Sequence, residues 1–132
     1  MAFELQMVGV TTLILFILLN YQGALVPIYQ GFAWGLGSRD EPKDKTALQN
    51  RTARTVDNHI EGMMLFVPLV LIVELADLSS GLTVLGAGLY AAGRAAFAPL
   101  YLLGVAYLRS LAWGVSLLGI MLVGYVVLLA LI

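Results

Sequence analysis

The chain has 132 residues, of which 61% are hydrophobic and only 11% charged, and its net charge at neutral pH is −1. Soluble domains carry about a quarter of their residues as charged side chains, so this composition excludes an ordinary soluble protein and points to one membrane-embedded domain over residues 1–132. The near-zero charge gives no reason to expect nucleic-acid binding, and the absence of cysteine excludes disulfides, thiolate-held metals and a cysteine nucleophile.

Four apolar stretches follow in chain order: Leu5 to Val26, Met63 to Leu75, Leu82 to Tyr101 and Leu111 to Ile132. About 20 residues rising about 1.5 Å each cross a hydrocarbon core, so each stretch is read as a helical span. The run from Met63 to Leu75 is short only because polar residues occupy the first turns of its helix. None shows the alternation of a transmembrane barrel, which leaves helices to satisfy the backbone in lipid. The expected fold class is therefore an all-α membrane protein, an up-down bundle of four transmembrane helices. The first run opens with Glu4 rather than a basic region and is too long for a cleaved signal, so it is read as a retained span. Asn20, Tyr21 and Gln22 interrupt it and are expected to hydrogen-bond to another helix, while Pro27 and Pro99 are read as kinks.

Gly35 to Asn50, GLGSRDEPKDKTALQN, is the one long polar stretch, and its Gly, Pro and mixed charges mark a surface loop. Arg39, Lys43, Lys45, Arg51 and Arg54 lie between the first and second spans and Arg109 between the third and fourth; the opposite side carries only Glu4, Glu74 and Asp77. The positive-inside rule then predicts a cytoplasmic 35–55 loop and termini on the periplasmic or lumenal side. Helix two is expected to start near Thr46 to Asn50 and to turn back at Leu78-Ser79-Ser80-Gly81, forming an antiparallel hairpin with helix three. Helix three breaks around Pro99 to Gly104. Its small residues, Gly86, Ala87, Gly88, Ala91, Ala92, Gly93, Ala95 and Ala96, suit close packing and are expected at a subunit contact. Trp34, Tyr107 and Trp113 read as interfacial belt aromatics.

The segment RTARTVDNHIE, residues 51–61, sets a polar cluster at the mouth of helix two. At about 100° per residue, Arg51, Arg54, Asn58 and Glu61 fall within an arc of roughly 80°. Such side chains at membrane depth are costly unless they pair or line a wet cavity, so the cluster is either a collar of snorkelling side chains or a site. On helix three, Tyr90, Arg94, Phe97 and Tyr101 repeat at i, i+4, i+7 and i+11. A mid-span arginine needs an anionic partner, for which Glu61 and Glu74 are the candidates. Arg109 lies at the same end as the cluster, and His59 points away from Asn58 and reads as an interfacial polar residue rather than a metal or pigment ligand. Guanidinium groups grip carboxylates, a carboxylate and an amide bind an ammonium and a peptide, and a nearby cation lowers a thiol's pKa. A zwitterionic, carboxylate-rich ligand with an amine would satisfy all of them, with a lipophilic second substrate among the apolar helices.

RTARTVDNHIEGMMLFVPLVL resembles the helix-two signature of the membrane-associated proteins in eicosanoid and glutathione metabolism, the MAPEG family: Arg54, Asn58 and Glu61 stand at its Arg-x-x-x-Asn-x-x-Glu spacing, with Pro68 in the apolar run and Arg51 one turn earlier. GSRDEP, residues 37–42, resembles the loop of the bacterial branch, and GRAAFAPLYLLGVAYLRSLAWG, residues 93–114, the junction of helices three and four. The resemblance covers nearly the whole chain and implies a homotrimer of four-helix bundles similar to microsomal glutathione transferase, in the bacterial inner membrane, with glutathione as co-substrate between subunits. By position, Arg54, Asn58 and Glu61 would hold the glutathione backbone, with Arg51 outside them. Arg94 and Tyr101 would approach the tripeptide, and Arg109 would stabilise the thiolate, which makes Arg109 and Tyr101 the residues expected to act in catalysis. No metal is implied, and the electrophile would arrive through the bilayer. Gly62 replaces a tyrosine of the leukotriene-forming members, Phe97 replaces a tyrosine of some members, and residues 29–34 lack the arginine of the eicosanoid enzymes, so eicosanoid specificity is not expected. Two further readings stand beside the enzyme: a non-catalytic lipid-binding or scaffolding member, and a structural subunit of a larger membrane complex.

Overall fold

The computed structural model describes residues 1–132 and contains five helices and no strand: α1 (Phe3–Gln30), α2 (Phe32–Leu36), α3 (Ala47–Leu75), α4 (Gly81–Leu102) and α5 (Ala106–Leu131). Helices α1, α3 and α5 are long and apolar enough to cross a membrane. The 22 residues of α4 have the length to cross as well, with Arg94 and four glycines interrupting an otherwise apolar sequence. Three of the four expected spans are thus long and apolar enough to cross, and the short α2 is an element that hydrophobic patterning did not mark.

Local chemistry explains the helix ends. Helix α1 continues through Pro27 and stops at Gly31, whose φ of 85° lies where only glycine is at ease; the chain then turns and restarts as α2. Asn20 does not reach another helix: its Nδ2 donates to the Phe16 carbonyl one turn back, at 2.8 Å. Thr46 caps α3 and exchanges hydrogen bonds with Gln49, and Ser80 does the same with Thr83 at the start of α4. Both helices end in Schellman turns. After α3, Leu78 N–H donates to the Val73 carbonyl at 2.9 Å, with Asp77 at φ 53°; after α4, Val105 N–H donates to the Leu100 carbonyl at 3.0 Å, with Gly104 at φ 76°.

The interior face of α3 is Thr52, Thr55, Val56, His59, Gly62, Phe66, Val70 and Val73, spaced at three and four residues. Phe66, Val70 and Val73 meet Ala87 and Tyr90 of α4 and Val123 and Val127 of α5, with the Phe66 and Tyr90 rings stacked at 4.0 Å between centroids. His59 is fully buried, and its Nε2 lies 2.8 Å from the Thr11 carbonyl oxygen, so it joins α3 to α1 rather than standing at the interface. Helices α4 and α5 approach most closely. A Cβ on Gly93 would lie 2.7 Å from Ser116 N, and one on Gly86 2.8 Å from the Gly119 carbonyl oxygen. Gly86, Ala87, Ala91 and Gly93 are thus consumed inside the chain, correcting their assignment to a subunit contact, whereas Ala92, Ala95 and Ala96 face outward.

At the end away from the basic loop, Glu4 is 1% exposed and accepts hydrogen bonds from Thr83 Oγ1 at 2.6 Å and Ser79 Oγ at 2.8 Å. This clasp ties the first turn of α1 to the cap of α4. Glu4→Ala is expected to lower stability by about 1–3 kcal/mol, because two hydroxyls lose a charged acceptor. Thermal unfolding in detergent measures it, with Glu4→Gln, which keeps one acceptor, falling between; an unchanged midpoint in Glu4→Ala would mean the clasp contributes nothing.

Candidate functional site between α3, α4 and α5

The site begins from the face of α4 that carries Tyr90, Arg94, Phe97 and Tyr101, the first three of them buried. Arg94 is 3% exposed, and its guanidinium lies 5.4 Å from the Tyr90 ring centroid and 5.5 Å from that of Phe97. The sequence pattern anticipated this stripe but not its partner. Arg94 Nη1 donates to Asn58 Oδ1 at 2.6 Å and to the Asn58 carbonyl at 3.2 Å, so Asn58 takes the place expected for Glu61 or Glu74. The bond fixes the amide: its oxygen is turned to Arg94, which leaves the Asn58 NH2 as a donor for another group.

The close seating of Arg94 follows from Gly62. A Cβ there would lie 2.8 Å from Arg94 Nη2 and 2.9 Å from Tyr90 Oη, so the bare backbone lets the ends of both side chains rest directly against α3. Neither is fully satisfied by this packing, since Arg94 Nε and Tyr90 Oη are buried without a hydrogen-bond partner. Asn58, Glu61, Gly62 and Leu65 of α3, Arg94 of α4, and Trp113, Leu117 and Ile120 of α5 enclose a cleft of about 140 Å³. Trp113 is a lining residue that the sequence reading assigned to the interfacial belt; its signal would have been its place one turn after Arg109 at the mouth of the same helix.

The other residues of the RTARTVDNHIE cluster are arranged differently. Arg54 and Glu61 lie on the outer side of α3 and are exposed, while Arg51 is half-buried and its Nε donates to the Leu102 carbonyl at 3.1 Å. Arg51 therefore caps the C-terminal end of α4, where unpaired carbonyls attract a cation. That bond brings α3 to the turn of α4 that carries Tyr101. Tyr101 packs on Phe97 with ring centroids 5.4 Å apart, and the Arg109 guanidinium lies 4.4 Å from the Tyr101 centroid. A phenol and a guanidinium that were eight residues apart in sequence thus form one cation–π unit at the basic end of the bundle.

The stripe can do definite chemistry. Arg94, the Asn58 NH2 and the Arg109 guanidinium present donors and positive charge, and Glu61 presents an acceptor, so the surface suits a ligand bearing both carboxylates and an amine. The cleft inside one chain is smaller than the roughly 300 Å³ of ordinary small-molecule sites. Arg54 and Glu61, exposed beside it, extend the polar surface outward. Among the residues expected at the site, the fold unites Asn58 with Arg94, Glu61 with their cleft, and Tyr101 with Arg109; it turns Arg51 to a backbone carbonyl.

Comparison with known proteins bears on this surface. The family model described as the MAPEG family matches residues 7–130, a range that contains all five helices' central turns and every residue of the stripe. No curated protein and no solved structure matches the chain.

Proposed function

The chain belongs to the MAPEG family, and from that premise we propose that it is an integral membrane glutathione-dependent transferase or peroxidase acting on lipophilic electrophiles or hydroperoxides. The observation that carries the reading is the outward position of Arg54 and Glu61 beside the Asn58–Arg94 pair. Charged groups exposed at membrane depth call for a polar cover, and the cleft of about 140 Å³ in one chain leaves a tripeptide incompletely enclosed. A second copy covers that face in a homotrimer of four-span bundles, with α4 as the fourth span. The basic loop lies on the cytoplasmic side of a bacterial inner membrane, where glutathione is available.

Within that assembly Glu61 binds the glutathione ammonium and Arg54 a carboxylate. The Asn58 NH2 donates to a peptide carbonyl, and Arg94 supplies a second anion contact. At the Tyr101–Arg109 unit the thiol gives its proton to water, because a nearby cation lowers its pKa, and the thiolate attacks the electrophilic carbon. The C–S bond forms and the leaving group departs with its electron pair. Arg51, engaged with Leu102, holds α3 against α4 and acts through their spacing.

Calorimetry with glutathione on the detergent-purified protein, with the oxidised disulfide as control, tests the reading. Glu61→Gln is expected to weaken binding about tenfold or more, since a charge-assisted hydrogen bond is worth about 1.5–3 kcal/mol. Arg109→Ala is expected mainly to slow turnover, by a similar factor, with binding little changed. Unchanged binding and rate in both variants would defeat these assignments, and no binding at millimolar glutathione would favour the lipid-binding or scaffolding reading.

A further inference from the structure

A second cavity, of about 270 Å³, lies on the opposite side of α3, between α1, α2 and the basic loop. Its lining changes character with depth. Leu19, Gln22, Gly23, Leu25 and Val26 of α1 and Ala53 of α3 form the inner part, in which Gln22 is the one polar side chain, and Gln30, Gln49, Trp34, Arg39 and Lys45 form the mouth. From Leu19 to Gln30 the wall extends about 16 Å along the helix. A trough that is apolar apart from Gln22 and opens beneath cations at one end of a membrane protein has the polarity of an amphiphile lying in one leaflet.

The mouth is built rather than incidental. Arg39 has φ 57°, a left-handed conformation that costs a non-glycine residue on the order of 1–2 kcal/mol. It is held there by hydrogen bonds from Nε and Nη2 to the Gly35 carbonyl, at 3.0 and 2.8 Å, and by the Trp34 ring, 5.6 Å from the guanidinium. Trp34 is itself fixed by its Nε1 bond to the Glu41 carbonyl at 2.7 Å. Lys43 is turned away, donating to the Gln30 carbonyl at 3.2 Å; Arg39, whose Nη1 is left after its two bonds to Gly35, and Lys45 line the cavity. No loop acid lines this cavity: Asp40 and Glu41 line an adjoining surface depression that shares Trp34 and Arg39 with it, and Asp44 lines neither. Between mouth and trough, Gln30 and Gln49 exchange two hydrogen bonds at 2.9 and 2.7 Å, which keeps α1 and α3 at a fixed spacing.

We propose that this cavity binds an anionic amphiphile, with its charged head between Arg39 and Lys45 and the first carbons of its hydrocarbon chain along Val26, Gly23 and Leu19. Its volume holds a headgroup and a short length of chain, so the remainder of the tail stays in the bilayer. Basic pockets between helices at the membrane surface select anionic headgroups in this way. The inference does not rest on the glutathione reading, because none of the residues assigned to glutathione lines the cavity.

Native mass spectrometry of the full chain in neutral detergent tests it with four probes: dioleoylphosphatidylglycerol, dioleoylphosphatidylcholine, oleate and inorganic phosphate. Phosphatidylglycerol or oleate is expected to be retained at least tenfold better than phosphatidylcholine, and the stronger of the two tells whether the preferred head is a phosphate or a carboxylate. The double variant Arg39→Gln/Lys45→Gln, confined to exposed side chains, is expected to abolish that preference. Gly23→Leu, at a position where an added Cβ meets nothing within 4 Å, is expected to weaken retention of both anionic lipids by obstructing the trough. Retention of neither phosphatidylglycerol nor oleate above phosphatidylcholine, a preference that survives the double variant, or full competition by inorganic phosphate at the same concentration would each overturn the proposal. Glutathione binding measured on the same variants is expected to stay unchanged, so failure here and failure of the glutathione reading are told apart.

Discussion

Arg94→Met is expected to weaken glutathione binding by about ten- to a hundredfold while leaving the thermal unfolding midpoint unchanged or higher. The two signs have separate origins. A buried guanidinium carries a desolvation penalty of several kcal/mol unless an anion lies against it, and here the hydrogen-bond acceptors of Arg94 belong to the neutral Asn58, with Nε left without a partner. An unbranched apolar side chain removes that penalty and keeps most of the packing against Tyr90 and Phe97. What it removes on binding is a charged contact to the ligand, worth about 1.5–3 kcal/mol, together with the bond that orients the Asn58 amide. Calorimetry and thermal unfolding on one preparation separate the roles. A lower midpoint with intact binding would make Arg94 a strut between α3 and α4, and would remove it from the ligand surface.

Gly62 illustrates why the site is only partly readable as a string of residues. Against the family pattern its lack of a side chain reads as a missing phenol. In the folded chain the space is filled from α4: Tyr90 Oη lies 2.9 Å from where a Cβ at Gly62 would be, so a phenol is present near that place but comes from another helix. The substitution of one element's group by another's depends on the distance between α3 and α4, which neither helix encodes alone. The partner of Arg94 was missed for a related reason. Asn58 and Glu61 differ by about 60° around α3, and only the rotation of that helix in the bundle decides which of them meets α4.

What the sequence did reveal is governed by local chemistry. The start of α3 near Thr46 and the break at Gly104 were legible because helix ends are set within one turn, here by the Thr46–Gln49 exchange that the structure adds and by the backbone freedom of Gly104. The stripe Tyr90, Arg94, Phe97, Tyr101 was legible because a single helix repeats its faces, and all four residues do lie inward or half-inward. Helix α2 was not legible, since five residues between Gly31 and Gly37 are too few to show a period. Nor was the use made of the small residues of α4. Composition predicts a close approach, but whether Gly86 and Gly93 meet α5 of the same chain or a neighbouring copy is settled only by packing.

That packing is the basis of the other large effect. Gly119→Ala is expected to destabilise the protein by about 3 kcal/mol or more, whereas Gly114→Ala on the same helix is expected to be neutral or stabilising by up to about 1 kcal/mol. A Cβ on Gly119 would lie 2.5 Å from both the Gly86 carbonyl oxygen and Tyr90 N, backbone atoms that cannot swing aside, and 3.0 Å from Tyr90 Cα. At Gly114 nothing lies within 4 Å, so the same methyl adds helix propensity without a collision. In a bilayer, helices associate through close packing rather than release of water, and separating α4 from α5 forfeits that contact directly. The displacement also reaches the cleft, because Tyr90 and Arg94 are one turn apart on the helix that must move. Gly119→Ala should therefore lose both unfolding temperature and glutathione affinity, and Gly114→Ala neither. If the two variants unfold alike, the α4–α5 approach is looser than its backbone contacts indicate, and the seating of Arg94 against Gly62 has to be maintained by α3 alone.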